Sequence, residues 1–403
     1  MDTGARPGVF AGLDVGKTNH HLCALAPDGT RVLDRVVAND EPALRQVFGA
    51  LLGGGGEVLL IVDQPASIGA LPVAVARAMG IAVAYLPGLV MRRLADLHPG
   101  EGKTDARDAW VIADAARTLP HTLRLVGGDD ETVAGLGVLA GYDDDLAAEC
   151  TRLSNRARDL LLGISPALER TLGPRIGHPA VLALLAAYPT PELLRGAGRR
   201  RLARIVTPLA PRIADQILEQ LHLALAAQTV VVPGTADSGR VLAGIARALS
   251  ATLTERRALD RELKERLDAH PLAPVLTSMP GVGVRTAVKI LTIVGDGSAF
   301  PTAGHLAAYA GLAPVTRRSG TSIRGEHRAH RGHRALKSTL FLSAFASLSD
   351  PTSRAYYDRK RAEGKRHNAA LICLARRRVD VLHALLRTRT AYRQPASTTP
   401  AAA

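Results

Sequence analysis

Three short apolar runs separated by tight turns open the chain, and helical and strand patterns then alternate. The run 9–15 is short and apolar, 20–26 follows, and after the Pro27-Asp28-Gly29 turn 31–37 reads as a third strand. The spacing of Leu44, Val47, Phe48 and Leu51 predicts an amphipathic helix over 41–52. The glycine run 53–56 gives way to a buried-type strand over 58–62. A helix over 69–79, a strand over 81–85 and a helix over 104–117 complete the order. A meander that feeds alternating helices and strands demands a mixed sheet with helices packed on it.

That order fits an RNase H-like fold better than a doubly wound dinucleotide fold, in which a helix follows the first strand directly. From about 130 to 267 the texture is helical. Leu249, Leu253, Leu259, Leu263 and Leu267, with charges between them, predict a coiled coil or one long packed helix. Pro208, Pro211 and Pro233 divide this region. Beyond Pro271 the turn 279–283 precedes a helical run over 286–294; its amides suit a DNA phosphate, or an ordinary helix entry. The overall class is α/β plus α. The expected division is a mixed-sheet domain over 1–150, a helical or coiled-coil region over 151–268, and a mainly helical domain over 269–394. A Ser/Thr/Pro/Ala-rich tail over 395–403 is expected to be disordered.

Charge separates the two ends. The chain has 51 Lys plus Arg against 37 Asp plus Glu, a formal charge of +14. Residues 315–393 alone hold 19 Lys/Arg and 5 Asp/Glu, so the excess of +14 resides there and the remainder is balanced. A polyanionic partner is expected at that end, although charge alone does not separate nucleic acid from a membrane surface. No run of about 20 apolar residues suggests a membrane span, and the N-terminus lacks the order of a signal peptide. Cys23, Cys150 and Cys373 are too scattered for a disulfide framework or a cysteine zinc site and read as free thiols of a reducing cytosol. A cytoplasmic, nucleoid-associated location without membrane contact is expected.

Four carboxylates stand out by position. Asp14 ends the first strand and Asp63 closes the strand over 58–62, while Asp105 and Asp108 lie three apart on one face of a helix. Hard divalent cations such as Mg2+ or Mn2+ take carboxylate oxygens, and phosphoryl transfer on DNA uses one or two such ions. Aspartates also serve as helix caps and solvated surface groups, and Asp96, Asp114 and the Asp143–Asp145 run read that way. The stretch Gly12-Leu13-Asp14-Val15-Gly16-Lys17-Thr18 also resembles the first phosphate loop of sugar kinases and actin-like ATPases, but no second phosphate motif accompanies it.

Taken together, the motifs resemble the IS110 family of transposases, which includes RNA-guided bridge recombinases. The resemblance rests on Gly12 to Lys17 with His20; Lys103-Thr104-Asp105-Ala106-Arg107-Asp108-Ala109; and Pro280-Gly281-Val282-Gly283 with Phe300. It continues through 308–314, Ser319-Gly320, Arg331-Gly332-His333, Leu336 and 369–377. It implies a RuvC-like domain, similar to a Holliday-junction resolvase, with Asp14, Asp63, Asp105 and Asp108 as its acidic, magnesium-binding set. The second of these is usually Glu in the family, so Asp63 is one methylene short. The resemblance also implies a C-terminal transposase domain whose nucleophile is Ser319, set among Arg317, Arg318, Arg324 and Arg328. Arg331, His333, Arg334, Lys337, Lys360, Arg361, Lys365 and Arg366 are expected to contact nucleic acid. Tyr309, Tyr356 and Tyr357 read as base-stacking or packing residues.

The leading expectation is a recombinase in which Ser319 attacks a DNA phosphate, assisted by the acidic magnesium site. Implied partners are donor and target double-stranded DNA, a structured noncoding guide RNA, and further copies of the chain assembling from dimer to tetramer. The alternatives are a metal-dependent nuclease of junction-resolvase type and a catalytically inactive nucleic-acid-binding protein.

Overall fold

The computed structural model describes residues 7–64, 67–97, 104–125, 131–319, 322–327 and 329–394. The tail over 395–403, Lys103 and Arg328 lie outside them. Contacts divide the chain into two compact units, Met1–Gly128 and Asp129–Ala403.

The first unit runs β1 (Val9–Asp14), β2 (Asn19–Leu25), β3 (Arg31–Ala38), α1 (Glu41–Leu52), β4 (Val58–Val62), α2 (Ala70–Ala78), β5 (Ala82–Tyr85), α3 (Gly88–Ala95), α4 (Asp105–Thr118) and β6 (Arg124–Leu125). The sheet order is β3-β2-β1-β4-β5-β6. β1, β4 and β5 are parallel, while β2, β3 and β6 pair antiparallel with their neighbours. This is the RNase H-like mixed sheet that the element order predicts.

Period-two alternation assigns the two faces. Ala11, Leu13, Leu60 and Val62 pack with Leu44, Phe48 and Leu51 of α1 and with Val73 and Ala76 of α2. Phe10, Leu59 and Ile61 face the other way, onto Ile112, Ala115 and Ala116 of α4. Gly12 lies where α4 crosses β1. A Cβ there would stand 2.3 Å from the carbonyl oxygen of Ala109 and 2.5 Å from the nitrogen of Ala113, so only glycine lets this helix approach the strand so closely.

The second unit is mainly helical: α5 (Glu131–Ile164), α6 (Pro166–Leu172), α7 (Pro179–Ala187), α8 (Pro191–Leu209), α9 (Ala214–Ala226), α10 (Thr235–Asp268), α11 (Ala273–Thr277), α12 (Val284–Val294) and α13 (Ala303–Tyr309). A hairpin of β7 (Val315–Ser319) and β8 (Ser322–His327) follows, then α14 (Arg334–Ala346), α15 (Pro351–Ala362) and α16 (His367–Thr388). The long helices α5 and α10 span 34 residues each. Leu136 and Ala140 of α5 share a core with Leu259, Leu263 and Leu267 of α10. Further along, Ala157 and Leu161 share a second core with Leu242, Ala246 and Leu249. The two helices therefore run antiparallel, with one core at each end. The periodic leucines mark only the later part of α10, because Gly239 and Gly244 weaken the helical signal before them.

One local reading changes, and one turn gains a packing partner. Asp143, read from sequence as a surface or capping group, is 3% exposed. Its carboxylate accepts from Arg256 Nε at 3.0 Å and from the same guanidinium again at 3.2 Å, and it pairs with Arg285 at 3.1 Å. It thereby ties α5 to α10 and α12. The turn over 279–283 docks on α14: Gly281, at φ 74°, has no room for a Cβ, which would stand 2.5 Å from the carbonyl oxygen of Ser343. Buried Arg378 donates to the Pro280 carbonyl and, at 2.8 Å, to Ser343 Oγ. Burial lowers its pKa to about 10. Among the described residues no helix is long and apolar enough to cross a membrane.

Candidate active site

β1 and β4 end side by side, because Leu13 pairs with Val62 in parallel register. Asp14 is the last residue of β1, and Asp63 follows β4 directly. Alternation from Phe10 and Gly12 to Asp14, and from Leu59 and Ile61 to Asp63, turns both carboxylates toward the face that α4 covers. The first turn of α4 carries Asp105 and Asp108. Thr104 caps that helix, its hydroxyl accepting from the Arg107 amide at 3.3 Å. Acidic groups in a first turn also complement the helix dipole, so Asp105, which is exposed, has a structural use besides any chemistry.

Asp63 carries the distinctive electrostatics. Its pKa is raised, first by burial and further by the charge of Asp108, against the opposing effect of backbone amides including that of Val15. One oxygen, Oδ1, is buried without a hydrogen-bond partner. An orphaned carboxylate oxygen beside a second carboxylate suits a hard divalent cation in kind. Among the described residues no three metal-ligating side chains stand close enough to form a closed chelate.

The turn between β1 and β2 is pinned from behind. The Gly16 amide donates to His20 Nδ1 at 3.2 Å. The Asn39 side chain donates to the Lys17 carbonyl at 3.0 Å, and the Asn39 amide donates to the Thr18 carbonyl at 2.9 Å. His20 is 1% exposed, and burial lowers its pKa, so the ring is held neutral with its proton on Nε2. The motif alone gives His20 no role; its place on β2 in the same alternating set as buried Leu22 and Ala24 is the signal for its supporting one.

Asp63→Asn is expected to stabilise the metal-free protein by less than about 1 kcal/mol, since residual solvent screens the carboxylate. The folded chain holds this proton more tightly than the unfolded chain, so the charged form costs stability above the folded pKa. That cost fades as pH falls and is gone below the ordinary value of 3.8. Thermal melts in chelator at neutral and acidic pH check this; a gain that persisted in strong acid would rule out the electrostatic origin.

The expected nucleic-acid residues have different surroundings. His333 caps α14, accepting from the Leu336 amide at 3.2 Å, and its ring lies 5.4 Å from that of Tyr309. Lys337 donates to the Ala329 carbonyl at 3.1 Å, Lys360 pairs with Glu363 at 2.7 Å, and Arg361 donates to the Lys365 carbonyl at 2.9 Å. Arg331, Arg334, Lys365 and Arg366 are exposed. Arg317, Arg318, Ser319 and Arg324 fall on the β7–β8 hairpin, where Ser319 pairs with Ser322. A second basic run lies on α8, where Arg199, Arg200, Arg201 and Arg204 are exposed and no acidic residue occurs between Glu192 and Asp215.

Carboxylates at the ends of adjacent parallel strands, beneath a helix with an acidic first turn, place the first unit in the RNase H-like class. A transposase family profile, DEDD_Tnp_IS110, matches residues 11–166, and a second, described as transposase IS116/IS110/IS902 family, matches 273–358. The 43.6 kDa protein of insertion element IS110 from Streptomyces coelicolor is 59% identical over 392 residues, covering 96% of this chain and 97% of the relative. The 42 kDa protein of insertion element IS900 from Mycobacterium paratuberculosis is 40% identical over 398 residues, covering 98% and 99%. The 44.8 kDa protein of insertion element IS116 from Streptomyces clavuligerus is 37% identical over 385 residues, covering 95% and 96%. The chain belongs to the IS110 transposase family.

One expectation is corrected by these findings. The profile over the N-terminal half is named for a DEDD acidic set, and the sheet beneath it presents carboxylates at its strand ends. That combination points to acidic, metal-assisted nuclease chemistry and overturns the reading of Ser319 as the nucleophile. A metal site of this kind activates water or a hydroxyl directly and needs no serine.

Proposed function

We propose that this chain is a DNA transposase that breaks strands by metal-assisted phosphoryl transfer, in the manner of a junction-resolvase-like nuclease. The observation that carries the reading is the pair of strand-end carboxylates on the α4 face, one with a buried unpartnered oxygen, next to the acidic turn of α4. Asp14, Asp63 and Asp108 would hold a magnesium or manganese ion, with Asp105 beside them. Such an ion, when bound, neutralises charge on the scissile phosphate and acidifies bound water. The chain's own groups set the stage. The Val15 amide steadies Asp63, while His20 and Asn39 fix the turn that carries that amide. Arg331, Arg334, Lys365 and Arg366 supply exposed cations for duplex backbone, contacts that position DNA without reading its sequence.

A guide RNA and assembly from dimer to tetramer, both implied by the family resemblance, complete the reading. Sequencing of copurifying RNA tests the first and sedimentation tests the second. The chemistry is tested by metal removal. Cleavage of a branched DNA substrate is expected to stop in chelator and to return with added Mg2+ or Mn2+. Cleavage undiminished after exhaustive chelation would defeat the proposal.

A further inference from the structure

Aromatic residues make up only 3% of the chain, and their placement is informative. Phe10, Phe48 and Phe300 are buried in cores. Phe345 on α14 is instead 54% exposed, and Leu342, one turn earlier on the same face, is 57% exposed. The ring is not loose. His367, the first residue of α16, meets it edge to face, with centroids 6.2 Å apart and planes at 88°. His367 is itself held by α15, its Nδ1 lying 2.7 Å from the Tyr357 hydroxyl and its ring 5.7 Å from that of Tyr357. Three helices thus fix an aromatic cluster at the surface.

The charge around this cluster selects its ligand. Lys365 and Arg366 immediately precede His367, are exposed, and make no ion pair among the described residues. The neighbouring Tyr356 differs, because Arg359, Arg377 and Lys360 crowd its ring at 4.9, 5.2 and 5.7 Å. Its face is already used within the protein, and that of Phe345 is open. An exposed ring beside unpaired cations suits a planar apolar group carried on an anionic chain.

We propose that Phe345, steadied by His367 and Tyr357, is a stacking platform for an unpaired nucleobase, with Lys365 and Arg366 holding the adjoining phosphates. The inference rests on the nucleic-acid reading above and adds to it a preference for single strands. In a duplex the base faces are hidden, so the platform discriminates between strand states while remaining indifferent to sequence. The unpaired base belongs either to a DNA strand or to an RNA, and both offer the same chemistry.

The test is fluorescence anisotropy of the full chain with labelled oligo(dT), oligo(rU) and a matched duplex, each of about 12 nucleotides. Phe345→Ala is expected to weaken single-strand binding about tenfold and duplex binding less than about twofold, with thermal melting unaltered. The single-stranded probe that loses more affinity names the source. Phe345→Trp is expected to retain binding and to show indole quenching when the strand binds. Arg366→Gln is expected to flatten the salt dependence, whereas Phe345→Ala leaves that slope intact. Equal affinities for Phe345→Ala and the unaltered chain, or equal losses on single strand and duplex, overturn the platform alone. Failure of the unaltered chain to bind any of the three overturns the underlying reading with it.

Discussion

Replacing Asp108 by asparagine is expected to slow DNA strand cleavage by about a hundred- to a thousandfold while leaving DNA affinity within about twofold. The split follows from the placement of the residue. Asp108 lies in the first turn of α4, and its charge is felt at Asp63, yet the charge excess that attracts DNA belongs to 315–393. Asparagine keeps the shape and removes one anionic oxygen, so positioning survives and cation retention does not. Asp63→Asn is expected to behave likewise and to be slightly more stable without metal, the usual signature of charge held against its own preference. Asp63→Glu restores the longer acid usual in the resembled family and is expected to keep most of the cleavage. Single-turnover cleavage and anisotropy on the same DNA separate the two effects; full activity in both asparagine variants would remove the acidic set from the chemistry.

Asp143→Ala is expected to destabilise the protein by about 3 kcal/mol. The carboxylate is almost fully buried and meets two guanidiniums; its removal strands the part-buried Arg256, while Arg285, 40% exposed, keeps Asp260 at 3.4 Å. Arg256, whose pKa is raised chiefly by its hydrogen bond to Asp143, loses that support. Replacing Asp143 by Asn is expected to be milder, since the amide oxygen still accepts one hydrogen bond. A thermal scan reads the difference as roughly 10 °C for Asp143→Ala. A midpoint within a degree or two of the unaltered chain would show that the arginines find water instead.

The first unit was legible because its signals are local. Alternation, turn residues and apolar faces place β1 to β5 with α1, α2 and α4, and the strand-end positions of Asp14 and Asp63 follow from strand boundaries alone. The approach of α4 to β1 was not legible, although Gly12 permits it, because a glycine in a strand announces closeness without naming the neighbour. In the second unit the decisive pairings join residues more than a hundred positions apart, as with Asp143 and Arg256. Three consecutive aspartates look like a solvated run until a packing partner picks one of them out. The β7–β8 hairpin was hidden for a different reason. Its residues are arginine, serine and glycine more than alternating apolar groups, so the sequence carries no period of two there. The serine inference drew on resemblance, and the acidic geometry argues for different chemistry.

The antiparallel pair α5 and α10 works as a ruler. At about 1.5 Å per residue, each helix reaches roughly 50 Å. Each end is embedded in its own core, so neither helix can change length alone. An insertion in one would drag its leucines out of register with those of the other. Only matched insertions of about seven residues would keep both apolar seams facing, and they would push the two cores apart by roughly 10 Å. The span between cores is thus quantised in heptads, and divergence in this region is confined to paired steps or to the short helices at either end.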